Sequence, residues 1–226
     1  MAFTAPKGGN QTKLAAPSLE PGTYPARLVS LMILGLQPQR PYKGEEKPPK
    51  VELMTTYELS DEFLLDEDGN EDETKPRWVS ETFPFLPLVA DRAISTQRYL
   101  ALDPQKACEG DWLKLVGEAV NVSLTINKGT GKHEGKVFEN ISGTSVIRPK
   151  DAAKLPDLRN EPRIFDFYEP DVDVFKALPE WLQTKIKSAL DYPGSKLEAA
   201  LGGSQEKPMT KEKPPTEEEK PDEVVW

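Results

Sequence analysis

Side chains able to do covalent or acid–base chemistry are scarce in this sequence, and their spacing is poor. The only histidine, His133, sits in the run Lys128-Gly129-Thr130-Gly131-Lys132-His133-Glu134-Gly135-Lys136, with neither apolar shelter nor a cysteine nearby. The only cysteine, Cys108, has Asp111 and Trp112 close in sequence but no histidine to take its proton. The glycine-rich run also lacks the GxxxxGK[ST] spacing of a phosphate-cradling loop. Asp66, Asp68, Asn70 and Asp72 alternate as calcium ligands do. Their glycine, however, falls at the fourth loop position instead of the sixth, and no glutamate occupies the twelfth. The expectation is a protein that is not an enzyme and that uses no metal and no cofactor.

Binding chemistry is better supplied. A groove for a single nucleic-acid strand needs cations for phosphates and flat faces for bases, each stacked base contributing roughly 1–3 kcal/mol. Three places interleave the two: Arg40, Tyr42, Lys43 and Lys47; then Arg77 with Trp78; then Lys128, Lys132 and Lys136 with Phe138. Each has a plainer reading. Tyr42 and the lysines also suit solvated loops, and Trp78 and Phe138 also suit a core.

A fourth candidate is the end of the chain. From Gly202 onward it is Gly, Pro, Glu and Lys without periodic apolar residues, a composition expected to stay disordered. Glu217, Glu218, Glu219, Asp222 and Glu223 lead to Val224-Val225-Trp226. An aromatic anchor after acid is what a partner's basic-rimmed apolar pocket captures, the plainer alternative being a solubilising tail.

These residues need elements to position them. A chain of 226 residues holds one domain of ordinary size plus flexible ends. The expected division is a flexible N-terminus (1–20), a β-domain (21–150), a helical extension packed on it (151–201) and the tail (202–226). The net charge of −9 is unevenly spread. Nine acids and no Lys or Arg lie from Glu58 to Glu73, and the tail is −3, which leaves the remainder at +3. Acid confined to one loop and one tail leaves room for a positive face. A lone cysteine excludes an intrachain disulfide and suits a reducing compartment. No apolar run reaches the roughly 18 residues of a membrane span, and no signal peptide is recognisable.

The pattern is β-rich. Residues 23–35 read as a long strand, apolar on both faces from Leu28 onward, with Gly35 to bend or bulge it. A loop rich in turn and basic residues is expected at 38–50. A second strand at 51–59 shares one face among Val51, Leu53, Thr55, Tyr57 and Leu59. Asp68-Gly69 marks a hairpin tip before a third strand at 77–83. A helix at about 90–102 puts Ala90, Ala93, Ile94, Leu100 and Ala101 on one side and stops at Pro104. Strands at 119–127 and 137–147 flank the Gly/Lys hairpin. Further short helices are expected at 171–178 and at 179–190, with Leu182, Ile186, Ala189 and Leu190 as the stripe of the latter, and a last turn at 196–201. Five strands with a helix between the third and fourth is the order of an oligonucleotide-binding (OB) barrel, so the expected fold is mainly β, OB-like, with added C-terminal helices.

Four segments carry a resemblance. They are Glu20-Pro21-Gly22-Thr23-Tyr24-Pro25-Ala26-Arg27-Leu28-Val29, Pro38-Gln39-Arg40-Pro41-Tyr42-Lys43-Gly44-Glu45-Glu46-Lys47-Pro48-Pro49, Ser95-Thr96-Gln97-Arg98-Tyr99-Leu100-Ala101-Leu102-Asp103 and Arg148-Pro149-Lys150-Asp151-Ala152-Ala153-Lys154. Over about residues 20–200 the chain resembles a family of bacteriophage proteins described as single-stranded DNA-binding or as hypothetical. Its tail is similar in plan to those of phage and bacterial single-stranded DNA-binding proteins, although phage versions usually end in phenylalanine instead of tryptophan. The resemblance implies a protein of the host cytoplasm that coats single-stranded DNA in replication or recombination. Its tail partners would be a phage DNA polymerase or other replication or recombination proteins, with no membrane partner and room left for a homo-oligomer. The rival is a phage interaction protein that uses its acid to mimic DNA and binds a host enzyme or virion component.

Overall fold

A computed structural model describes residues 19–131 and 134–202 of the chain. The fold is mainly β. In chain order the elements are β1 (Gly22–Tyr42), β2 (Glu45–Leu65), β3 (Glu71–Pro84), α1 (Ile94–Leu102), a 3-10 turn (Trp112–Leu115), β4 (Ala119–Lys128), β5 (Val137–Ser145), α2 (Pro149–Ala152), β6 (Arg163–Asp166), α3 (Val172–Ala177), α4 (Glu180–Lys187) and α5 (Lys196–Ala200). The first five strands form one antiparallel sheet in the order β3-β2-β1-β4-β5, and β6 pairs with β1 in parallel. The sheet is not closed by pairing between β3 and β5.

β1 is the strand on which everything else is hung, because both of its faces are buried. Leu28 and Leu31 enter one core with Leu53, Tyr57, Leu59, Val79, Phe83, Val120 and Val122. Met32 and Leu34 enter a second core with Met54, Phe165, Phe167, Phe175, Leu182 and Ile186. The doubly apolar run from Leu28 thus serves two packed layers. Gly35 does bulge the strand: its φ is +77°, and the β1–β2 register shifts between Ile33 and Leu36.

The outer edge of β1 is covered in relay. β4 takes Gly22 to Arg27, and the Gly117–Glu118 turn then exchanges backbone hydrogen bonds with Leu28. β6 takes Ser30 to Ile33, and Leu190 N–H donates to the Leu36 carbonyl at 2.8 Å. A long buried strand would otherwise expose a row of unsatisfied backbone groups.

Several expectations change. Residues 38–50 are not a loop: β1 and β2 continue as a ribbon to a two-residue turn, Lys43-Gly44, with Tyr42 paired to Glu45. Positive φ at both turn residues, +53° and +83°, matches the turn twist that right-handed strands favour. The acidic run likewise belongs mostly to strands that extend to Leu65 and resume at Glu71, and its Asp68-Gly69 tip is organised by Asp66 Oδ1, which accepts the N–H groups of Asp68 and Asn70. α1 starts at Ile94 and buries another face, Ser95, Thr96, Arg98, Tyr99, Ala101 and Leu102, while Ile94 is exposed. The charge on that face is paired: the Arg98 guanidinium donates twice to Glu81, at 2.6 and 2.9 Å. Pro179 precedes α4 as its cap instead of opening it, and Leu190 is exposed, although Leu182, Ile186 and Ala189 are buried as expected. β6 and the 3-10 turn are unanticipated. The tail from residue 203, including Glu217, Glu218, Glu219, Asp222, Glu223 and Trp226, lies outside the described residues, as does Lys132.

Candidate nucleic-acid interface

The ribbon formed by the ends of β1 and β2 leaves the body where the edge relay stops. Its root is anchored at Gln37, whose Nε2 donates to the carbonyls of Leu34 (2.8 Å) and Lys185 (3.1 Å). Glu52 adds to the anchor, accepting from Gln39 Nε2 at 3.2 Å and pairing with Lys185 Nζ at 2.7 Å. Beyond Gln39 every residue from Arg40 to Pro49 is exposed. Pro38, Pro41, Pro48 and Pro49 remove N–H donors from the ribbon, which discourages a further strand from adding to it.

At its tip Tyr42 is 59% exposed, so the ring is not a core residue. Lys47 Nζ lies 4.7 Å from the ring centroid and Lys43 Nζ 5.4 Å, both in cation–π range. Arg40, Tyr42, Lys43 and Lys47 are therefore brought together on one projecting element. Lysine at the first turn position accepts a left-handed backbone that glycine or asparagine would adopt more cheaply, and in return places its charge against Tyr42.

The β4–β5 hairpin forms the second group. Lys128, Lys136 and Phe138 are all exposed, Phe138 at 40%. This group does not join the first: Gly22 pairs with Leu124, so Lys128 lies beyond the N-terminal end of β1, whereas the Tyr42 ribbon leaves its C-terminal end. Acid neighbours it, since β2 also runs toward this end. There the Glu62 carboxyl is pushed above its ordinary value by partial burial and then by Asp61, with Glu71 and Glu139 adding to the shift.

Arg77 and Trp78 serve other contacts. Arg77 is 9% exposed and its Nη2 donates to both oxygens of Glu139 at 2.9 Å, bridging the unpaired edges of β3 and β5. Glu139 also accepts the Leu19 N–H at 2.9 Å. Trp78 is absent from both cores; its Nε1 donates to Glu58 Oε2 at 3.1 Å, and the Arg163 guanidinium lies 5.3 Å from its ring.

Cys108 is half-buried, and its thiol is pushed up by burial and then by Asp103, the opposite of an activated nucleophile. Among the described residues no group of His, Cys, Asp and Glu is arranged to hold a metal ion, and no helix is long and apolar enough to cross a membrane. Compared with known proteins, the chain matches no family model and no curated protein.

Proposed function

We propose that this chain is a phage-encoded single-stranded DNA-binding protein of the host cytoplasm, built on an OB barrel left open at one seam. The strand order β3-β2-β1-β4-β5, with α1 between β3 and β4, supports the barrel reading, and the Arg77–Glu139 pair stands where β3 and β5 would otherwise meet. The observation that carries the function is Tyr42: an aromatic ring exposed at the tip of a ribbon, between two lysines, with no packing role. Ring and cations supply the two contacts that sequence-independent single-strand binding needs. The protein coats and protects intermediates of replication or recombination, and its acidic tail recruits a polymerase or related partner.

A second reading, a DNA mimic that binds a host enzyme or virion component, is favoured by the acidic β2–β3 hairpin, which carries no Lys or Arg from Glu58 to Glu73. Titration with a poly-dT oligonucleotide at low and high salt separates the two. Binding that weakens with salt, log K falling at about −0.7 per neutralised phosphate, is expected for the first reading. Absence of binding at low salt would leave the mimic.

A further inference from the structure

Residues 155–162 form a strap without helix or strand that contacts Arg27 of β1 and then Glu58 of β2 before entering β6. Glu58 holds it there. This carboxylate is only 4% exposed, and it accepts the Arg159 N–H at 2.7 Å, Asn160 Nδ2 at 2.7 Å and Trp78 Nε1 at 3.1 Å. Three donors offset the cost of burying a charge and fix strap and indole relative to one another. The strap arginines then lie on rings of the sheet. Arg159 is 4.8 Å from the Phe63 centroid, and Arg163, where the strap enters β6, is 5.3 Å from that of Trp78. Both arginines are exposed, and among the described residues neither guanidinium has a carboxylate oxygen within 4.0 Å, that of Arg159 donating only to the Ser60 carbonyl at 3.5 Å. Strap acid is partly engaged elsewhere, Asp157 facing Arg27 at 3.9 Å.

We propose that Arg159 on Phe63 and Arg163 on Trp78 form a second contact for a single nucleic-acid strand, separate from the Tyr42 ribbon; this rests on the single-strand reading above. A guanidinium lying on an aromatic ring is a flat, charged platform. A base stacks on its outer face and a phosphate takes its N–H edge. Phe63 pairs with Pro76 beyond a register shift in β2, and Trp78 stands two residues further along β3, so the two platforms belong to one face, offset by about 7 Å along β3 and by one strand across it. The offset along β3 is about twice the 3.4 Å rise per nucleotide in a stacked strand, so neighbouring bases reach the two platforms unstacked from each other. Selectivity for single strands over duplex follows. Over residues 155–163 the two arginines are balanced by Asp157 and Glu161, so net charge does not mark the segment as basic.

The test uses the full-length chain and oligo-dT carrying 5-iodouracil, cross-linked by light and mapped by peptide mass. The expected result is cross-links in the peptides containing Phe63 or Trp78 as well as Tyr42. Arg159→Ala with Arg163→Ala should weaken binding about tenfold and reduce the salt slope by about 1.4, two phosphates at about 0.7 each. Arg159→Lys with Arg163→Lys should keep the slope yet still bind more weakly, because the planar faces are gone. Cross-links confined to the Tyr42 peptide, with the alanine pair binding normally, would overturn the second contact and leave the ribbon standing. No binding of any oligonucleotide would overturn both.

Discussion

The carboxylate of Asp191 accepts the backbone N–H of Leu36 at 2.8 Å, across 155 residues of sequence. With Leu190 N–H on the Leu36 carbonyl, the turn after α4 stands in for a β-strand at the last covered position of β1. The exposed ribbon begins just beyond it. The C-terminal segment is therefore the support from which the ribbon projects.

Removing that support should be costly. Asp191→Ala leaves the Leu36 N–H without its acceptor and the Tyr168 hydroxyl, now 3.1 Å from Asp191 Oδ2, without its own. A loss of about 1–3 kcal/mol is expected in urea unfolding, with Asp191→Asn retaining part of it. A variant as stable as the parent would show that the turn is not holding β1. Burial, and then the hydrogen bond to Asp191, push the Tyr168 hydroxyl up to about 12. A raised value contributes stability that is fully present below the ordinary tyrosine pKa of about 10 and is lost as pH rises toward 12.

Gly35 tests the same junction from the other side. A Cβ placed there would lie 2.9 Å from Ala189 Cβ and 2.9 Å from Asp191 Oδ1, on a residue with φ of +77°. Ala189 Cβ has no rotamer by which to retreat, and Asp191 Oδ1 is held in place by the Leu36 N–H. Gly35→Ala should destabilise by about 1–3 kcal/mol through overpacking and the left-handed backbone together. A melting temperature within a degree of the parent would contradict the close approach.

Tyr42→Ala should weaken oligonucleotide binding by roughly 1–3 kcal/mol while leaving thermal stability nearly unchanged, because the ring is exposed at the ribbon tip. Lys43→Gly separates charge from backbone. Relieving the left-handed lysine should stabilise the hairpin slightly, and loss of its charge should reduce the salt slope by about 0.7. Lost stability in Tyr42→Ala with normal binding would refute the stacking role.

Asp103 organises the loop after α1. Its oxygens accept the N–H groups of Ala107 (2.9 Å) and Cys108 (2.8 Å) and the Tyr99 hydroxyl (3.1 Å), while that hydroxyl accepts the Gly110 N–H at 2.8 Å. Burial works to raise the Asp103 carboxyl, but these donors outweigh it and hold it below the ordinary carboxylate value. A depressed value contributes stability that is present above pH of about 4 and lost as pH falls through the folded value. Asp103→Asn should be less stable at pH 7 and show a flatter acid limb in its stability–pH profile. An acid limb identical to the parent's would remove Asp103 from this role.

Period and turn chemistry in the sequence mark several of the local elements. The alternation from Ala119 to Asn127 specifies one buried face, Asp68-Gly69 a hairpin tip, and the run from Leu28 to Leu34 a strand buried on both sides. They also mark Tyr42 with its lysines, since a large ring among prolines and cations has little apolar company. Which distant groups meet was decided only by the tertiary structure. Arg77 looks like a free cation in sequence, and Glu139, 62 residues away, takes it because β3 and β5 approach without pairing. The polar face of α1 is buried because Glu81 is there to receive Arg98. The four residues of β6 form a strand because β4 leaves the edge of β1 open after Arg27. Short-range patterns record what a residue prefers, whereas a buried charge or an open strand edge is satisfied by whichever partner the fold delivers.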